Sequence, residues 1–133
     1  MPTRPVRLHR WDEIALEKVT EMVSRKVVTG EREMIGQIYL KRGAIVPMHS
    51  HESEQRTYIF QGALKFLING EQITVREGEV LHIPSWVPHQ GEALDDTFEM
   101  DVFSPIRQDW LDGTDSYFSD TPTPGPGGTG SSS

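Results

Sequence analysis

The chain has 133 residues, of which 35% are hydrophobic and 25% charged, with a formal net charge of -7 and no cysteine. That length suits a single domain able to bury a core, the acidic balance without any Lys/Arg cluster argues against a nucleic-acid partner, and the missing thiols leave nitrogen and oxygen as the only metal donors. No apolar run approaches the roughly 18 residues that span a bilayer and no basic, apolar leader opens the chain, so the expected setting is the cytoplasm, without membrane contact.

Near the amino terminus WDEIALEKV predicts one or two helical turns with Asp12 as a cap; nothing further along has a helical period. The rest reads as short strands with turn signals about every eight to twelve residues. Those strands are expected near 22–28, 33–41, 44–49, 56–61, 79–83, 88–93 and 97–103, with breaks at Gly30, Gly43, Gly62, Gly78 and Pro84. Between them LKFLINGEQITV reads as a hairpin. Leu64, Phe66 and Ile68 alternate, Asn69-Gly70 supplies the positive φ angles of a tight turn, and Ile73 and Val75 resume the alternation. So many strands with little helix predict an all-β barrel of jelly-roll type, whose closure removes unpaired edges. The single domain is expected over 1–118. Residues 119–133, SDTPTPGPGGTGSSS, hold no large apolar side chain and read as a disordered Pro/Gly/Ser tail, its final GGTGSSS having the look of an expression scar.

Two of the five histidines stand one residue apart in PMHSHESEQ. Positions i and i+2 of a strand point the same way, so His49 and His51 can present both imidazoles to one point, and Pro47 disfavours a helix here. His89, reached through Pro84 and Pro88 in IPSWVPHQG, can supply a third. Neutral imidazoles suit zinc, iron, nickel, copper and manganese, and three of them leave positions open for water or substrate. The plainer alternative is a surface turn, with HSH beside Glu52 and Glu54. His9 precedes the strand pattern and reads as solvated, and His82 in VLHIP reads as a hydrogen-bonded wall residue.

The spacing Gly43-x5-His49-x-His51-x3-Gln55-x6-Gly62 resembles the first motif of the cupins, and Gly78-x5-Pro84-x-Trp86-x2-His89 resembles the second. The resemblance covers about 30–105. It implies a double-stranded β-helix barrel that holds one divalent transition metal on two histidines, an acidic residue and a further histidine, here His49, His51, Gln55 and His89. Trp86 stands where the second motif usually has glycine, which puts an aromatic wall near the site. Gln55 stands where glutamate is usual; Glu54 could substitute through a bulge, but the step to Gly62 selects Gln55. A neutral glutamine leaves the ion its full dipositive charge, which favours Lewis-acid work over redox cycling.

In TFEMDVF, alternation puts Phe98, Met100 and Val102 on one face and Thr97, Glu99, Asp101 and Phe103 on the other. In a plain reading that second face is solvent and Arg107 pairs with Asp109 or Asp112. In a barrel it is the interior. The pattern Asp101-x-Phe103-x3-Arg107, with glutamine at the third ligand position, resembles the pectin-degradation cupins of the KdgF type, which open cyclic unsaturated uronates to linear keto forms. That resemblance implies proton transfer by Asp101, a substrate carboxylate on Arg107, and a small anionic, sugar-like substrate packed in a pocket walled by Phe103 and Trp86. A dioxygenase at the same ligands and a non-catalytic small-anion-binding cupin are the alternatives. A homodimer is expected too, with the segment of Val23, Val27 and Val28 extending a partner's sheet.

Overall fold

A computed structural model describes residues 5–115 and 117; the expected tail at 119–133 lies outside them. The described chain forms ten strands: β1 Glu17–Lys18, β2 Val23–Thr29, β3 Met34–Leu40, β4 Ile45–His49, β5 Glu54–Gln61, β6 Ala63–Ile68, β7 Glu71–Arg76, β8 Val80–Ile83, β9 His89–Ala93 and β10 Thr97–Ser104. They make two antiparallel sheets, of order β1-β2-β3-β10-β5-β8 and β4-β9-β6-β7. This is the all-β double-sheet barrel that the strand pattern predicts. The β6–β7 hairpin turns at Asn69, with φ of 53°, and Gly70, with φ of 79°, as a tight turn requires. Among the described residues no helix is long and apolar enough to cross a membrane.

Alternation sorts the side chains. On β10 the odd positions Thr97, Glu99, Asp101 and Phe103 are buried, while Phe98, Met100 and Val102 are half-buried and Ser104 is exposed. Register then lays interior side chains out in rows across the larger sheet. One row runs Arg25, Ile38, Glu99, Ile59; the next runs Val27, Gly36, Asp101, Thr57, Leu81; a third runs Thr29, Met34, Phe103, Gln55, Ile83. Around these polar members the core closes with Val23, Met34, Ile38, Ile59, Leu64, Phe66 and Ile83.

Two local expectations need correction. WDEIALEKV yields one short 3-10 turn, Trp11–Glu13, and Asp12 lies inside it; Arg10 holds the N-cap position without a side-chain cap bond. Helix also occurs where none is predicted: α1, Gln108–Asp112, follows β10 and is too short to show a period. It matters because it inserts Trp110 into the barrel. The side chains of Val23 and Val27 belong to this chain's own core or pack against it, and β2 is paired with β3 along its length.

Gly36 is what admits Trp110. A Cβ at Gly36 would sit 2.9 Å from the Trp110 ring, closer than packed carbons tolerate. Gly36→Ala is therefore expected to destabilise the protein by about 1–3 kcal/mol through overpacking, and by much less in a Trp110→Ala background. Urea unfolding of the four proteins measures this, and equal costs in both backgrounds would show that Trp110 does not press on Gly36.

Candidate metal centre

β4 ends and β9 begins at the same place: His49 and His89 are register partners, with ring centroids 4.4 Å apart. His51 lies two residues past the end of β4, outside the strand, yet its ring stands 5.4 Å from His49 and 5.0 Å from His89. The coordinating nitrogens of the three lie within 4.8 Å of one another. All three Nδ1 atoms are tied to nearby backbone carbonyls: His49 to Pro47 at 2.7 Å, His51 to Ser53 at 2.9 Å and His89 to Val87 at 2.8 Å. A carbonyl only accepts, so each Nδ1 carries the proton and each Nε2 turns a lone pair to the centre. That is the outer-shell arrangement that orients imidazole ligands.

Two observations test whether these residues fit a cation. Among the described residues, His89 Nε2 is buried without any hydrogen-bond partner, a costly state for a polar atom. Gln55 Oε1 faces His51 Nε2 at 3.1 Å, while the Gln55 amide N–H is spent on Thr57 Oγ1 at 2.9 Å. With His51 protonated on Nδ1, that contact joins two lone pairs, which repel unless positive charge lies against both. The donor set fits a divalent first-row ion. Glu54 points elsewhere, accepting from His82 Nε2 at 2.6 Å on the exposed outer face, and His9 is exposed. Neither belongs to the cluster.

Asp101 and Phe103 reach the same cavity as His49, Gln55 and His89. The cavity is small, about 40 Å³. Thr57 donates its hydroxyl to Asp101 Oδ1 at 2.7 Å, so hydrogen bonds run from Gln55 through Thr57 to Asp101. Phe103 meets His51 edge-on at 5.7 Å. Arg107 is buried at the cavity with its guanidinium already engaged: Nε and Nη2 donate to the two Asp109 oxygens at 2.9 and 2.7 Å, and Nη2 also donates to Tyr117 Oη at 3.2 Å. The plain sequence reading offers Asp109 or Asp112 as the partner, and the structure pairs Arg107 with Asp109.

Trp86 stands apart from the rest. It is 63% exposed and is not among the cavity's lining residues; its backbone N–H donates to the His51 carbonyl at 2.8 Å. With φ of 65° it occupies the left-handed region, which bulky residues rarely adopt and glycine takes freely. Four polar or aromatic lining residues had no assigned role in the sequence, Arg25, Glu99, Trp110 and Tyr117. Of these, Glu99 was visible as an inward position of an alternating strand. Trp110 and Tyr117 were not, because a short helix and its exit carry no period. Tyr117 stacks on His49 at 4.1 Å and 2°, and Trp110 lies 4.3 Å below the Arg25 guanidinium.

Burial, aided by the positive charges of His89, Arg107 and His51, pushes the His49 imidazole down to about 3. Burial and the neighbouring Arg107 and His89 push His51 down to about 4. Both are neutral, as ligation requires. In the unfolded chain they take up protons near the ordinary 6.5. A folded pKa below the unfolded one means that the native state binds fewer protons, so stability present above 6.5 is lost as pH falls from there toward 4. The metal-free protein should accordingly lose its Tm relative to a His49→Gln variant across that window; a difference in Tm that stays constant with pH would contradict the assignment of a neutral buried imidazole.

The cupin-domain family pattern matches residues 36–104. KdgF from Halomonas sp. is 32% identical, with 75% of this chain and 95% of that one covered at a TM-score of 0.71. An RmlC-like cupin from Shewanella frigidimarina is 20% identical, with 80% and 96% covered at a TM-score of 0.74. Oxalate decarboxylase from Bacillus subtilis, which has Mn(II) centres, is 21% identical over 84% of this chain at a TM-score of 0.70, but the chain spans only 35% of that protein. The last two likenesses carry the fold alone, and no curated protein is significantly similar. With the two motifs, the two-sheet barrel and the matched family pattern in agreement, the chain belongs to the cupin family.

Proposed function

We propose that the protein is a metal-dependent enzyme that opens the ring of an unsaturated uronate, with His49, His51, Gln55 and His89 as ligands and Asp101 as the proton-transfer group. The observation that carries this is a buried carboxylate, Asp101, lining one cavity with Arg107 and with His49 and His89 of the histidine cluster. The substrate class comes from the resemblance of Asp101-x-Phe103-x3-Arg107 to KdgF-type cupins, supported by the 32% identity to KdgF from Halomonas sp..

A bound divalent ion supplies Lewis acidity that polarises a substrate oxygen. The chain's own residues do the rest. Asp101 takes the proton of the anomeric hydroxyl. The ring C–O bond breaks as the anomeric carbonyl forms, leaving an enolate on the former ring oxygen. Asp101 then returns the proton to the carbon of the former double bond, which gives the keto product with no net proton change. Phe103 forms the wall against which the sugar packs. Arg107 has Nε and Nη2 committed to Asp109 and Tyr117, so the carboxylate of the substrate meets Nη1 of a fork that Asp109 holds in place.

Asp101→Asn keeps the shape of the site and removes the base. Ring opening followed by NMR on unsaturated uronates should fall by at least about 100-fold, within the range of general-base contributions, while elemental analysis of the purified protein shows the same metal content as wild type. Retained turnover would remove Asp101 from the mechanism. Oxygen uptake with a small organic substrate in place of ring opening would move the function to the dioxygenase reading.

The reading includes a homodimer. Among the described residues the β1 ladder covers the outer edge of β2 opposite Ser24 and Arg25, and Val19 and Thr20 bond the Val23 carbonyl, which supports strand extension by a second copy along the part from Lys26 to Thr29. Light scattering should give twice the chain mass; a monomer at micromolar concentration would refute it.

A further inference from the structure

Glu99 has no place in the chemistry above, yet it lines the same cavity at 3% exposure. It lies two residues before Asp101 on β10, so both carboxyls point inward. Its row neighbours on β3 and β5 are Ile38 and Ile59, which offer no hydrogen bond. Among the described residues no lysine or arginine pairs with it. Arg25, from β2, is engaged by Glu17 at 2.9 Å and Asp115 at 2.7 Å, and Arg107 is engaged by Asp109 at 2.7 Å. The other titratable groups around the cavity are His49, His89 and Tyr117. With apolar row neighbours, no cationic side chain paired to it and the Asp101 charge beside it, burial favours the protonated form of Glu99.

The partner for that proton is Asp101, to which Glu99 is hydrogen-bonded. Asp101 is the accepting member on independent geometry. Thr57 Oγ1 already accepts from the Gln55 amide at 2.9 Å, and its single hydroxyl proton goes to Asp101 Oδ1 at 2.7 Å. Asp101 thus receives a hydrogen bond from Thr57 on one side and from Glu99 on the other, as an ionised carboxylate should.

We propose that Glu99 and Asp101 form a carboxyl pair sharing one proton, in which Glu99 is a positioning residue that keeps Asp101 ionised and aimed inside an apolar wall. This rests on the proposed role of Asp101 as base. Burial pushes the Glu99 carboxyl well above the usual carboxylate range, and the Asp101 charge pushes it further. Burial raises Asp101 too, while the hydrogen bonds from Glu99 and Thr57 and the Arg107 charge pull against that rise. Protonation of Asp101 sets the acid limb of activity and ionisation of Glu99 sets the alkaline limb.

Two variants test the pair. Glu99→Gln keeps a hydrogen-bond donor and loses the titrating proton; Glu99→Leu loses both. The infrared spectrum of the metal-loaded wild type near neutral pH should show a protonated-carboxyl C=O stretch that is absent from Glu99→Gln, a readout that needs no substrate. In ring-opening assays Glu99→Leu should move the acid limb up by about one pH unit or more, while Glu99→Gln restores it and lacks the alkaline limb. A C=O band that survives Glu99→Gln, or the same pH profile in both variants, would overturn the pair. Absence of ring opening in the wild type, with the band behaving as expected, would overturn the uronate reading and leave the shared proton standing.

Discussion

The ladder between β5 and β10 is the constraint on which the site depends. It sets Phe103 opposite Gln55, Asp101 opposite Thr57 and Glu99 opposite Ile59. These pairs place the amide oxygen beside His51, the hydroxyl that donates to Asp101, and Asp101 itself, the proposed base. A slip of one residue would turn every one of them to the outside and bring Met100 and Val102 in. The register shift between Phe98 and Glu99 sits at one end of this ladder, so the irregularity falls below the last working residue and leaves the alignment of the other three intact.

So polar an interior persists because its charges are answered locally. Arg25 and Arg107 are both almost wholly buried, and each is met by carboxylates. Both guanidinium groups meet Trp110, their central carbons 4.3 and 5.2 Å from its ring. Cation–π contact and stacking favour arginine over lysine there, since the planar fork can lie on the indole and still donate at its edge. The short helix after β10 contributes directly to the cavity. It brings in Trp110, whose ring meets both guanidinium groups, and Asp109, which holds Arg107.

Most of the strand pattern was legible because the period of two is strong wherever one face is buried. The same alternation that marked Asp101 and Phe103 as inward also marked Glu99, but a glutamate beside no recognised motif carries no signal of function until its surroundings are known. The three histidines were legible from spacing, although His51 reaches the cluster from a loop and not from the strand that the i, i+2 argument assumes. Arg107 was legible as a buried cation only through family likeness. That Asp109 holds it depends on a two-residue step at the entry of a single helical turn, for which periodicity has no resolution. Trp86 was misplaced for a similar reason. Its side chain suggested a wall, whereas its backbone conformation turns it outward.

The choice of glutamine at position 55 has consequences for the whole cavity once charges are added. A dipositive ion on four neutral donors meets one formal negative charge in the proposed pair, that of Asp101, because Glu99 keeps its proton. The Arg107–Asp109 pair cancels itself. Around the ion, the proposed pair and Arg107–Asp109 this leaves one positive charge, which would suit a substrate carboxylate there, while the Arg25, Glu17 and Asp115 group on another side of the cavity carries one negative charge in excess. Ionising Glu99 would cancel that positive charge, and so would a glutamate at position 55. Neutral glutamine and protonated Glu99 are thus two parts of one electrostatic arrangement: the first leaves the ion its charge, and the second keeps the barrel wall from neutralising it.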